Sequence, residues 1–92
     1  MRLTFPSLAK FASVWQEDFL GQQGFLLPPK YDMPLGQEVD LEVLVQDEKW
    51  GRARMLPIWS NRYGPNTEAI PQGVFLRLIR ADDALERRLR GL

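Results

Sequence analysis

The sequence contains no cysteine and no histidine. Without cysteine there is no disulfide framework and no thiolate chemistry, which fits a reducing compartment. Without histidine, the Ser-His-Asp and Cys-His catalytic arrangements, imidazole acid–base chemistry and the usual zinc ligand sets are all removed. No run approaches the roughly 18–20 apolar residues that cross a bilayer, and the N-terminus lacks a charged-then-apolar secretory pattern. The expectation is therefore a cytoplasmic protein with no membrane insertion. Internal repeats and low-complexity tracts are absent. No glycine pattern matches a phosphate loop or dinucleotide fingerprint, because Gly21 and Gly24 alone do not make one. Formal net charge is zero, whereas a nucleic-acid-binding domain usually shows a strong basic excess, so nucleic acid is not expected as a partner.

What is present is ordinary globular composition: 45% apolar and 26% charged residues in 92. That length has room for a single domain, here residues 1–92. The charge is unevenly spread. Residues 1–48 carry three basic and eight acidic side chains, and residues 49–92 carry nine and four. Either the two halves interleave and neutralise each other, or the second half presents a basic patch to an anion or an acidic partner. Three adjacent carboxylate pairs remain as catalytic candidates: Glu17-Asp18, Asp47-Glu48 and Asp82-Asp83. Each falls at a predicted turn or helix start, where acidic residues serve local structure. No enzyme, cofactor or metal is expected.

Seven glycines and seven prolines punctuate the chain, which argues for short strands and tight turns. The clearest strand is Val39–Gln46, with Val39, Leu41, Val43 and Val45 on one face and Asp40, Glu42 and Gln46 on the other. A five-residue loop over Asp47–Gly51 would return the chain through a strand from Arg52 to about Ser60. In that register Val45 faces Ala53, Val43 faces Met55, Val39 faces Trp59, and Glu42 lies diagonal to Arg54. Pro57 cannot donate to a ladder and implies an edge or a bulge. A loop from Asn61 to Gln72 precedes a strand Gly73–Ile79, whose nearly continuous apolar run predicts burial on both sides. Asp83 and Glu86 have capping-box spacing, and Leu85, Leu89 and Leu92 recur at helical intervals. A helix over about 83–90 is expected, with basic residues in its last turn and Gly91 as its stop. In the first third, Lys10–Gln16 reads as a strand, a turn covers Leu20–Gly24, and Phe25–Leu27 is a strand ended by Pro28-Pro29.

Several segments together resemble the PilZ domain family. Gly24-Phe25-Leu26-Leu27-Pro28, followed by Met33-Pro34-Leu35-Gly36-Gln37-Glu38-Val39, is similar to that family's glycine-led strand and "pLGxxV" turn. Leu56-Pro57-Ile58-Trp59, Gly73–Leu78, and Ala84-Leu85 with Leu89 resemble its tryptophan-ending strand, late glycine-led strand and closing helix. The resemblance implies a mostly-β fold: a six-stranded antiparallel barrel with a short C-terminal α-helix, in a bacterial cytoplasmic regulator. Typical members bind cyclic di-GMP through an RxxxR segment and a D/N-x-S-x-x-G segment. With the last glycine on Gly24, Phe19 stands where Asp or Asn belongs and Gly21 where Ser belongs. Upstream, Arg2 is followed four residues later by Pro6, and Lys10 is the only other basic residue. A doubly anionic dinucleotide needs arginine forks and polar groups that Phe19 and Gly21 do not supply. The pattern instead resembles degenerate members associated with type IV pili, which implies a protein partner: a pilus ATPase or a cyclic di-GMP-metabolising regulator.

Three readings follow. As a nucleotide-free adaptor in motility signalling, the chain would use loop aromatics Tyr31, Trp50 and Tyr63 as interface anchors. As a cyclic di-GMP receptor, it would use substituted basic residues drawn from Arg2, Lys10, Arg77, Arg80, Arg87 and Arg88. As a self-associating scaffold, it would pair Leu85, Leu89 and Leu92 between chains.

Overall fold

The alternation in Val39–Val45 does form a strand, and the architecture grows outward from it. A computed structural model describes residues 1–31, 33–61, 63–64, 67 and 71–92. Its elements are β1 (Arg2–Phe5), α1 (Leu8–Val14), β2 (Trp15–Phe19), β3 (Gln22–Leu27), β4 (Val39–Val45), β5 (Glu48–Asn61), β6 (Gly73–Ala81) and α2 (Asp83–Arg90). The strands form one sheet in the order β1-β4-β5-β6-β3-β2. The sheet is mixed and curls into a half-barrel.

This corrects two expectations at once. The sheet is not wholly antiparallel, because β1 runs parallel to β4 with Leu3 opposite Val43 and Phe5 opposite Val45. Nor does the barrel close: β1 and β2 are opposite edges of the sheet. The chain between them, read from sequence as part of a strand, is α1. Phe11, Val14 and Trp15 are spaced three and four apart, the helical interval, and all three are buried. Ser7 starts the helix by accepting the Lys10 N–H at 3.1 Å. Phe11 fills the hollow of the half-barrel, its ring centroid 5.2 Å from Phe5, 5.6 Å from Phe25 and 4.9 Å from Trp50. A helix with its phenylalanine in the interior joins the two edges where a closing ladder would otherwise run.

The β4–β5 hairpin is tighter than its composition predicts. Gln46 and Asp47 both take positive φ, 54° and 64°, and form a two-residue turn of the type that matches strand twist. Val39 therefore faces Met55, Leu41 faces Ala53 and Glu42 faces Arg52 directly. Trp50, expected in an exposed loop, is the extra residue between Gly51 opposite Val43 and Lys49 opposite Leu44. This bulge turns its indole into the core, where it is 7% exposed. Two further bulges lie between β5 and β6, one of them at Pro57/Trp59 as the proline implied. Two-sided burial, expected over Gly73–Ile79, holds only for Gly73–Leu76: Arg77 and Leu78 are half-buried and Ile79 is 39% exposed.

α2 covers one end of the core through Leu85, which is fully buried. Its cap is Asp82 rather than Asp83: the carboxylate accepts the Leu85 N–H at 2.9 Å. Gly51, at φ 147°, lies beneath this first turn, and a Cβ there would come within 2.8 Å of Leu85. Only glycine lets helix and strand approach so closely.

Candidate protein-docking surface

The hairpin joining β2 to β3 carries the least expected feature of the backbone. Phe19 faces Gln22, so the turn consists of Leu20 and Gly21 alone. Both have positive φ, 56° and 78°. Glycine adopts this conformation freely, whereas an L-residue with a branched apolar side chain is strained there by roughly 1–2 kcal/mol. The Asp18 carboxylate holds the turn by accepting the Gly21 N–H at 2.9 Å. Leu20 gains nothing from burial in return, since it is 68% exposed.

Phe19, beside it, lies on an aromatic cluster. Its ring stacks on Phe75 at 4.5 Å and 29°, and meets Trp59 edge-on at 5.2 Å. Phe75 is fully buried while Phe19 and Trp59 are half-buried. Gly24 explains how the stack forms. A Cβ at this position would overlap the Leu76 carbonyl and lie 3.0 Å from the tip of the Phe75 ring. The bare backbone of β3 therefore lets β6 and its phenylalanine close over it. Of the degenerate ligand-motif positions, Phe19 is an aromatic packing residue, Gly21 a turn residue with open space around it, and Gly24 a close-approach residue. Trp59 and Phe75 were not singled out as site residues from the sequence. Their contact with Phe19 depends on β3 lying between β2 and β6.

The candidate basic residues are dispersed among different partners. Arg2 donates to Glu42 at 3.0 Å. Glu42 is also met by Lys49 at 3.3 Å and Arg52 at 3.8 Å. The Lys49 hydrogen bond does most to hold its carboxyl below the usual range; burial opposes it, and the Arg2 hydrogen bond adds to the lowering. Arg88 pairs with Glu48 and stacks over the Trp50 ring at 5.1 Å, and Arg87 donates to the Asp83 carbonyl at 3.3 Å. Arg80 faces Arg54, which is itself engaged by Asp40 and Glu38. Arg77, half-buried between Gly24 and Leu56, meets no carboxylate among the described residues. Lys10 lies on the exposed side of α1. The oppositely charged halves of the sequence thus interleave through β4, β5 and α2.

Of the aromatics expected as interface anchors, Tyr63 is 88% exposed. Tyr31 is half-buried against the core with Lys30 5.4 Å from its ring, and Trp50 is internal. In α2, Leu85 is internal, Leu89 packs partly on the core and Leu92 is half exposed. A groove of about 630 Å³ runs between α2 and the β2/β3/β6 side of the sheet. Its charges are largely engaged: Arg90 pairs with Glu86 at 2.7 Å, and Glu17 accepts from the Trp15 indole and from Gln23, both at 2.8 Å. No helix is long and apolar enough to cross a membrane, and no cluster of metal-ligating side chains occurs, among the described residues. No protein-family model and no curated protein matches this chain.

Proposed function

We propose that this chain is a non-catalytic cytoplasmic adaptor of the PilZ type, acting through protein–protein contact without holding the nucleotide. Its setting would be cyclic di-GMP-linked motility or type IV pilus regulation. The observation that carries the reading is Leu20, an exposed apolar side chain held in a strained turn beside Phe19. Strain that persists without stabilising the free protein is characteristic of a functional site, and a partner's apolar socket would supply the missing burial. The unpaired Arg77 on the same stretch of sheet favours a partner with a carboxylate nearby. Further support is the stacking of Phe19 on Phe75, which puts an aromatic pair where the resemblance requires a polar nucleotide contact. By that resemblance the partner is a pilus assembly ATPase or a cyclic di-GMP-metabolising regulator.

Calorimetric titration at near-physiological salt tests both halves of this reading. Cyclic di-GMP should give no binding heat up to about millimolar ligand, a limit near −4 kcal/mol. One of the two named proteins should bind the wild type and fail to bind Leu20→Asn. A micromolar cyclic di-GMP isotherm weakened by Arg77→Ala and Arg80→Ala would replace this reading with a receptor function. Concentration-dependent dimerisation abolished by Leu92→Asp would replace it with self-association.

A further inference from the structure

The open seam of the half-barrel contains a second feature, independent of the docking surface. Among the described residues, β1 has a strand neighbour, β4, on one side only. Beside its free edge, α1 and the turn leaving β3 enclose a cleft of about 230 Å³. Phe5, Val14 and Leu27 give it an apolar floor, and each is at most 7% exposed. Tyr31 forms a wall, its N–H bonded to the Pro28 carbonyl at 3.1 Å so that the turn is fixed. Lys10 enters from α1 and Lys30 from the turn, its ammonium 5.4 Å from the Tyr31 ring centroid.

The two lysines differ from most other cations of the chain. Arg2, Lys49, Arg52, Arg54, Arg88 and Arg90 all lie in ion pairs. Lys10 and Lys30 share one cleft, yet among the described residues neither meets a carboxylate and no acidic side chain lines the space. Two unneutralised ammonium groups above an apolar floor complement an anion carried on an apolar body. The volume is below that of a drug-sized site, for which pockets usually start at about 300 Å³. A cyclic dinucleotide, with two bases and two sugars, exceeds it.

We propose that this cleft binds a small aromatic anion, with Lys10 and Lys30 holding its carboxylate or phosphate and the ring seated on Phe5, Val14 and Leu27 against Tyr31. The test is an amide-resolved NMR titration of the full chain with benzoate, with phenyl phosphate, and with benzyl alcohol as the neutral counterpart. Saturable shifts confined to the cleft, around Phe5, Lys10, Val14 and Tyr31, are expected with at least one anion and not with the alcohol. Saturation by benzoate alone assigns a carboxylate ligand, and by phenyl phosphate alone a phosphate ligand. The double variant Lys10→Gln, Lys30→Gln changes only surface lysines and should melt as the wild type does. Its affinity for the anion should fall by about tenfold or more, the scale of a lost charge-assisted contact. Unsaturable shifts, shifts spread over the whole surface, equal binding of the alcohol, or undiminished binding by the double variant would each overturn the proposal.

Discussion

Asp82 accepts the backbone N–H of Arg52 at 2.9 Å through one carboxylate oxygen while the other accepts the Leu85 N–H. Its own N–H donates to the Arg52 carbonyl at 2.9 Å. One residue thus starts α2 and fastens it to the middle of β5, above the glycine that permits the approach. Replacing Asp82 with alanine removes the cap and leaves Arg52 without that acceptor. The expected loss is about 1–2 kcal/mol. For a domain of this size it appears as a fall of roughly 4–16 °C in the thermal midpoint, followed by circular dichroism.

The same carboxylate gives stability a defined pH dependence. The Leu85 N–H is the largest influence on Asp82; burial opposes it, and the Arg52 N–H then helps to hold the carboxyl below its ordinary value. Lys49 and Arg2 do the same for Glu42. A carboxyl whose folded-state pKa is depressed binds protons more readily unfolded. Its contribution is complete above the unfolded values of 3.8 and 4.5 and disappears as pH falls through the lower folded values. Urea midpoints should therefore be flat between about pH 6 and 7, where no histidine titrates, and decline in acid. The acid decline should be shallower in Asp82→Asn and in Glu42→Gln.

Gly24 and Gly21 should respond oppositely to substitution. Gly24→Ala drives a methyl group into the Leu76 carbonyl and the Phe75 ring, and overpacking of this kind costs about 1–3 kcal/mol. Gly21 has open space around it and a left-handed φ. Gly21→Asn, with a residue that tolerates this conformation, should change stability by less than about 0.5 kcal/mol. Equilibrium urea denaturation of the two variants separates the cases.

Leu20→Asn replaces a strained leucine with the residue preferred at the first position of such a turn. The free protein should become more stable by about 1 kcal/mol while its affinity for a protein partner falls. Gain in stability with loss of binding is the signature of strain kept for function. A variant that loses both, measured by urea denaturation and by titration with the partner, would show that Leu20 serves the fold.

How much of this was legible in the sequence follows from which signals are local. β4 was plain because Val39, Leu41, Val43 and Val45 alternate with polar residues, and α2 because its leucines, acidic start and basic end agree. The Pro57 bulge is equally readable, whereas the apolar run of β6 overstates its burial, which ends at Leu76. Gln46-Asp47 is not the Asn-Gly pair that usually announces a two-residue turn. Composition therefore predicts a longer loop with Trp50 in solvent, where the chain has a tight turn and a buried indole. α1 is hard to read because it has only seven residues and runs directly into β2, so that Phe11, Val14 and Trp15 suggest one continuous strand across the boundary. The parallel β1–β4 pairing left no local trace. At the candidate docking surface the turn is visible in the sequence, but its strain is not. Whether Leu20 takes a left-handed φ depends on the register that sets Phe19 against Gln22, and neither residue encodes that by itself.

The unclosed sheet also has a consequence for the order in which the chain acquires its structure. β4 and β5 meet through a two-residue turn, so their pairing closes almost no loop. β1 reaches its only strand partner across some forty residues, as the Arg2–Glu42 bond shows. Loop-closure entropy opposes such distant contacts until a template exists to receive them. The β4–β5 hairpin, extended by β6, is the expected template. β1 and α1 would then dock last, with Phe11 entering the hollow as the concluding event. Substitutions at Leu3 or Phe11 should accordingly accelerate unfolding and leave the refolding rate nearly unchanged, whereas substitutions at Val43 or Met55 should slow refolding.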